Sequence, residues 1–90
     1  MKVSDILTKD TWCKNHLARS DNGVIKYSLM GAVTMAAGGT NLNFKTFKEI
    51  ETKLKEKLVL KYNTPYIAVW NDHPNTTFEM VDDIVKEAGV

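Results

Sequence analysis

The stretch YSLMGAVTMAA, Tyr27–Ala37, decides the fold, because it is apolar on nearly every side. A helix without a polar face is stable only where other elements cover it. The small side chains of Gly31 and Ala32 allow a neighbouring backbone to approach closely. Gly38 and Gly39 follow, and glycine just past the last turn is typical of a helix end. We therefore expect a central, buried helix over Tyr27–Ala37, with the rest of the chain packed around it.

On the N-terminal side of this helix, Ser20-Asp21-Asn22-Gly23 indicates a tight turn. Asn and Gly tolerate the positive φ that short hairpin turns require. The β-branched residues Val24 and Ile25 follow the turn, which predicts a short β-hairpin with its tip at Asp21–Gly23. Two strands are marginally stable alone, so this hairpin must lie against helices. A short helix that starts at Ser4 precedes it.

On the C-terminal side, apolar residues step by three and four along the chain, which predicts a helix with one buried stripe. Asn41 or Asn43 is expected to cap this helix. The stripe consists of Phe44, Phe47, Ile50, Leu54 and Leu58.

The last third of the chain predicts one extended segment and one helix. Tyr66–Trp70 is a short apolar run, expected to be a strand or an extended segment, and Asn71–Asn75 follows as a loop. Thr76 and Glu79 match the spacing of a capping box, in which Thr76 begins the final helix. Gly89 is expected to end that helix.

The predicted fold class is mainly α (α+β): one compact domain, 1–90, of three to four helices with a short hairpin. With 43% apolar and 26% charged residues, the composition is that of a folded globular protein. A chain of this length buries a modest core, so shallow clefts and subunit interfaces are easier to build than deep pockets. The size therefore favours a binding protein over an enzyme, and self-association is one way to cover a further apolar face.

The charge and the lengths of the apolar runs argue against nucleic acid and membranes as partners. The net charge is +1, so a general basic field for nucleic acid is missing, and nucleic acid is not an expected partner. Lys45–Lys61 carries six lysines against three glutamates, whereas 70–90 is acidic; these faces could pair between copies, but a solvated role is the simpler interpretation. No apolar run is long enough to span a membrane, and Cys13 is the single cysteine, so we expect a cytoplasmic protein.

Two pairs of residues could carry catalysis. Cys13 and His16 lie three apart, and Asp72 precedes His73. A structural zinc site normally needs four ligands, and no such set is spaced for it, so neither a metal nor a cofactor is expected. A nucleophilic Cys13 would need an imidazole within hydrogen-bonding reach, and the alternative is a packed thiol beside Trp12.

Five residues are candidates for ligand binding. Trp70 could stack on a ligand ring while Asn71 or Asp72 reads its polar edge, although all three could instead lock the loop to the core. Arg19 could bind an anionic ligand or form an exposed pair with Asp21. Ser28 stands where a hydroxyl caps a helix, although a helix start can also hold an anion.

Several short motifs together resemble a known pattern. They are Trp12, Ala18–Gly23, Leu29–Ala32, Trp70–Asp72 and Thr76-Thr77. In this order and spacing they resemble a family of small domains of unknown function from bacterial and phage genomes. In that family the central helix starts at a cysteine, where this chain has Ser28; if that cysteine were a catalytic thiol, the activity would be lost or altered here.

The resemblance implies an organisation without a reaction. A phage setting would favour a non-catalytic accessory protein that captures a small anionic or nucleotide-like ligand or a host protein, in an anti-defence or regulatory role. The alternatives are a small enzyme that uses Cys13 with His16 or Asp72 with His73, and a structural or interaction domain with no small-molecule ligand.

Overall fold

The computed structural model describes residues 1–90 as five helices and one β-hairpin. The element bounds, in chain order, are α1 Val3–Ile6, β1 Ala18–Asp21, β2 Val24–Tyr27, α2 Leu29–Ala36, a 3-10 turn Gly39–Asn41, α3 Phe44–Tyr62, α4 Ile67–Asp72 and α5 Phe78–Ala88. The predicted mainly helical α+β domain is confirmed. No helix is long and apolar enough to cross a lipid bilayer.

The hairpin forms as predicted around a two-residue turn. Asn22 and Gly23 have φ of 52° and 82°, and Asp21 pairs with Val24 across the turn. Positive φ at both turn residues matches the twist of the two strands, which is why Asn-Gly is favoured there. The second strand is anchored on its other side, since Tyr27 N donates to Thr11 O at 2.8 Å and Cys13 N donates to Tyr27 O at 3.0 Å.

The central helix α2 is confirmed, but it begins later than predicted. Tyr27 is the last residue of β2, and Ser28 is the N-cap, whose Oγ accepts from Gly31 N at 3.2 Å. The chain passes from strand to helix within one residue because Ser28 N donates to Leu17 O at 3.2 Å and keeps the strand geometry to that point. Leu29, Ala32 and Val33 are fully buried in α2; the neighbours of α2 include α1, α3 and α4.

Helix α3 continues to Tyr62, beyond Leu58, where the predicted buried stripe ends. Fewer residues of that stripe are buried than predicted. Asn43 caps it, as one of the two expected caps, and Asn63 ends it in the left-handed conformation with φ of 57°. Leu54 and Leu58 are fully buried, but Phe44 is 65% exposed, so its predicted burial is wrong. A helix of 19 residues spans roughly 28 Å, and its first turn extends past the core.

The prediction of a strand or extended segment at Tyr66–Trp70 is wrong, because Ile67–Asp72 forms helix α4. The loop predicted at Asn71–Asn75 is present, but it begins at His73, where α4 has ended. Ile67, Trp70 and Asn71 are buried, and their spacing of three and four is that of one helix face. Tyr66 and Val69 point outward and are 67% and 69% exposed. The apolar run Tyr66–Trp70 is too short for its period to separate strand from helix, so the contacts of Asn71 decide the outcome.

The start of α5 also differs from its prediction. Thr77 is the N-cap, and its Oγ1 accepts from Met80 N at 3.3 Å. Thr76, expected to cap, is buried and its hydroxyl donates to Trp70 O at 2.6 Å. Gly89, with φ of 71°, ends the helix as predicted. At α1 the cap is Lys2 rather than Ser4.

Gly31 generates the first testable prediction. A Cβ at this position would lie 1.9 Å from the carbonyl oxygen of Leu17, which is backbone and cannot rotate away. We expect Gly31→Ala to lower the free energy of unfolding by about 2–4 kcal/mol, measured by urea denaturation.

The matched control for this prediction is Gly89→Ala. At Gly89 no atom lies within 4 Å of the added Cβ, so the cost is only the positive φ, about 1 kcal/mol. If the two variants lose the same free energy of unfolding, the close approach of Leu17 O to Gly31 is not what excludes a larger side chain there.

Candidate functional site

The side-chain amide of Asn71 is completely buried and uses all of its hydrogen-bonding capacity. Its Oδ1 accepts from Trp12 Nε1 at 2.7 Å and from Leu29 N at 3.1 Å. Its Nδ2 donates to Cys13 O at 3.2 Å and to Asp72 Oδ1 at 2.9 Å. Asn71 therefore joins the segment before the hairpin, the start of α2 and the end of α4.

Asp72 belongs to the same network. Its Oδ1 also accepts from Asn15 N at 2.8 Å, and Asn15 holds a positive φ of 67°. Beside this contact, Lys14 Nζ donates to His73 O at 2.6 Å. Residues 12–15 are thus tied to the C-terminal end of α4, which gives Asp72 a structural partner.

Of the other candidates, Ser28 and Arg19 occupy separate places. Ser28 is buried and caps α2, as described above. Arg19 lies on exposed β1, where its Nη2 is 3.1 Å from Asp21 Oδ2 and Lys26 Nζ is 3.4 Å from the same oxygen. Arg19 first, and then Lys26, hold the pKa of Asp21 below its ordinary value.

Trp70 lines a groove between α3, α4 and α5 with a volume of about 350 Å³. Its ring centroid lies 5.1 Å from that of Tyr62 at an interplanar angle of 39°, so the two rings form an aromatic floor. The groove is lined by Tyr62, Thr64, Val69, Trp70, His73, Asn75, Thr76 and Met80. None of these side chains is a carboxylate, a lysine or an arginine.

Several polar groups at this groove have no partner within the chain. His73 Nδ1 accepts from Asn75 N at 3.1 Å, so the neutral ring carries its proton on Nε2, which is left free to donate. Thr64 Oγ1 accepts from Tyr66 N at 3.2 Å, which leaves its hydroxyl proton free. The side-chain amide of Asn75 and the hydroxyl of Tyr62 make no hydrogen bond. An apolar floor with a few free polar groups is the usual composition of a ligand pocket.

The five predicted ligand residues therefore do not form one site. Hydrogen bonds tie Asn71 and Asp72 to residues 12–15, and Ser28 lies beside them at the start of α2. Arg19 lies on the hairpin, and of the five residues only Trp70 lines the groove. Sequence analysis missed Tyr62 and Asn75 as groove residues. A signal for Tyr62 was present, because the spacing of four that joins Leu54 and Leu58 continues to it.

Cys13 and His16 do not pair through their side chains. The thiol of Cys13 is buried and donates to the backbone oxygen of His16, with Sγ and O 3.7 Å apart. Burial raises the pKa of Cys13 above its ordinary value, although the charge of Arg19 opposes this. No cluster of three or more His, Cys, Asp or Glu side chains lies close enough together to hold a metal ion.

Residues 1–89 match a family of unknown function, DUF6197. The chain belongs to this family. No curated protein and no solved structure matches it. Membership of a family of unknown function is thereby confirmed, whereas the pattern of motifs and the bacterial and phage distribution stay predictions.

The network of Asn71 generates a stability prediction. Asn71→Ala would leave the buried Leu29 N and Cys13 O and the partly buried Trp12 Nε1 without this partner, so we expect it to lower the free energy of unfolding by about 3–5 kcal/mol. Chemical denaturation followed by circular dichroism measures this loss. Asn75→Ala, at an exposed asparagine, should change stability by less than about 0.5 kcal/mol. A similar small change at Asn71 would contradict the structural role.

The environment of Cys13 generates a prediction about reactivity. Because its raised pKa keeps the thiol protonated at neutral pH, and because the sulfur is buried, alkylation by iodoacetamide at pH 7.5 should be at least about a hundredfold slower in the folded protein than in urea. Raising the pH to about 9 should accelerate the reaction of the folded chain by the larger factor, because the thiolate fraction of the unfolded chain already levels off near the ordinary Cys pKa. Rapid alkylation of the folded protein at pH 7.5 would instead support Cys13 as a nucleophile.

Proposed function

We propose that the protein is a small non-catalytic binding protein that captures a planar, anionic or nucleotide-like ligand in the groove floored by Trp70 and Tyr62. The observation that carries this proposal is the combination of two adjacent, tilted aromatic rings with free hydrogen-bonding groups at one groove. Its volume of about 350 Å³ is within the range of small-molecule pockets, which begins at about 300 Å³.

The chemistry of the groove suits a heteroaromatic ring. Stacking of a base on an aromatic side chain contributes about 1–3 kcal/mol and tolerates different bases. His73 Nε2 can donate to a ring or phosphate oxygen, and the amide of Asn75 can both donate and accept. Because no carboxylate lines the groove, a negatively charged ligand meets no local repulsion.

The biological role follows from binding without turnover. A small protein that sequesters a nucleotide-like signal removes it from its receptor, and the resemblance to bacterial and phage domains supports the proposal of an anti-defence or regulatory role. Capture of a host protein is the second form of this proposal, and self-association would enlarge the surface available for it.

The catalytic alternative has weaker support. In neither proposed pair do the two side chains bond to each other: Cys13 donates to the backbone oxygen of His16, Asp72 Oδ1 accepts from Asn15 N and Asn71 Nδ2, and His73 Nδ1 accepts from Asn75 N. The third candidate is a structural or interaction domain with no small-molecule ligand. Calorimetric titration with nucleotides distinguishes this candidate from ligand capture, because a purely structural domain would bind none of them.

The test is isothermal titration calorimetry with purine and pyrimidine nucleoside monophosphates and cyclic nucleotides. We expect at least one to bind saturably, and His73→Ala and Asn75→Ala each to weaken that binding by about tenfold, the worth of one good hydrogen bond. Both residues are exposed, so the variants should fold normally.

The matched control is His16→Ala, which removes an exposed histidine outside the groove and should leave the affinity unchanged. Native mass spectrometry of the protein purified from cells would show a retained ligand as a defined added mass. If no nucleotide binds, or if binding survives both groove substitutions, the groove is not the ligand site.

A further inference from the structure

Two polar side chains of the groove are left with a hydrogen-bond donor by their contacts with the backbone. His73 Nδ1 accepts from Asn75 N at 3.1 Å, so the neutral ring keeps its proton on Nε2, which only donates. Thr64 Oγ1 accepts from Tyr66 N at 3.2 Å, so its hydroxyl proton is available to a ligand. Both side chains therefore offer a donor at the groove.

The remaining polar groups of the groove do not reverse this balance. The amide of Asn75 and the hydroxyl of Tyr62 can each donate or accept. Thr76 is buried, and its hydroxyl already donates to Trp70 O at 2.6 Å. A ring that presents carbonyl oxygens can use the two donors, whereas an amino group opposite His73 Nε2 would leave two donors facing each other.

The groove contains no side chain that normally binds a phosphate. None of its lining residues is a lysine or an arginine. Two lysines adjoin groove residues, but both are engaged: Lys61 Nζ donates to Glu87 Oε1 at 2.9 Å, and Lys14 Nζ donates to His73 O at 2.6 Å. A phosphate on a ligand in the groove would therefore find no cation held ready for it.

The start of α5, which brings Met80 to the groove, is not suited to a phosphate either. Thr77 Oγ1 accepts from Met80 N at 3.3 Å, so one N–H group of the first turn is already in use. Glu79 places a carboxylate in the same turn. Its negative charge opposes an anion at this helix start.

We propose that the groove binds a neutral nucleobase that carries carbonyl oxygens, as hypoxanthine and uracil do, and leaves the phosphate of a nucleotide in solvent. The ring lies against the aromatic floor of Trp70 and Tyr62, and its oxygens accept from His73 Nε2 and Thr64 Oγ1. This inference rests on the proposed capture of a nucleotide-like ligand and names the part of that ligand that the groove contacts.

The test is isothermal titration calorimetry of the full chain with two pairs of nucleosides: inosine with adenosine, and uridine with cytidine. In each pair the first ring has a carbonyl oxygen where the second has an amino group. We expect the carbonyl member of each pair that binds to bind about tenfold tighter, the worth of one good hydrogen bond.

The phosphate is tested with the monophosphate of the nucleoside that binds most tightly. Its affinity should lie within about twofold of that of the nucleoside. Raising the salt from about 50 mM to about 500 mM should change either affinity by less than about twofold, because no ion pair is screened.

Variants of Thr64 separate hydrogen bonding from structure. Thr64→Val removes the hydroxyl at nearly constant volume, so it should weaken the carbonyl nucleoside by about tenfold and remove the preference over its amino counterpart. Thr64→Ser keeps the hydroxyl and should keep the preference. The matched control is Thr52→Val, at an exposed threonine of α3 outside the groove, which should change neither affinity.

The possible failures of this inference differ from failure of ligand capture. If the monophosphate binds at least about tenfold tighter than its nucleoside and salt weakens it, the groove binds the phosphate, and the inference is wrong while capture stands. Equal or tighter binding of the amino nucleosides also overturns the inference alone. If no nucleoside and no nucleotide binds, the proposed function fails and this inference fails with it.

Discussion

The buried amide of Asn71 is the interaction on which the arrangement of the other elements depends. Its four hydrogen bonds reach residues 42 to 59 positions away in sequence as well as its neighbour Asp72. The two-stranded hairpin and the six-residue helix α4 are each too short to be stable alone. By joining the segment that supports the hairpin to the start of α2, Asn71 holds both short elements against the central helix. A buried amide is favourable only when every donor and acceptor is used, and here every one is.

The same amide determines the rotation of α4 about its axis. With Asn71 directed into the protein, Ile67 and Trp70 also face inward, one helical turn earlier and one residue earlier. Tyr66 and Val69 must then face solvent. Trp70 contacts Tyr62 at the floor of the groove, and Val69 lines the same groove. The groove and the exposed apolar side of α4 are thus two consequences of one helix orientation.

Local signals in the sequence account for the parts of the fold that were predicted correctly. Asn22-Gly23 determines the hairpin turn through backbone geometry alone, and the apolar run after Ser28 leaves little choice but a buried helix. Helix α4 was not predictable in this way, because its conformation depends on partners of Asn71 that are distant in sequence. The separation of the five candidate ligand residues in space was not predictable for the same reason. Trp70-Asn71-Asp72 was recognised as distinctive, but the sequence does not show that Trp70 faces one side of α4 while Asp72 contacts Asn15 on the other.

The distribution of apolar residues explains why binding surfaces arise in so small a protein. The core cluster consists of 13 buried residues, whereas eleven large apolar side chains remain exposed. A chain of this length has too little interior for all of them. The residues that hold the fold, such as Asn71 and Gly31, are buried and fully engaged by their neighbours. Exposed residues, such as His73 at the groove and Leu60 on α3, contribute little to the core. Binding properties can therefore change through these exposed residues while the network that positions α4 stays intact.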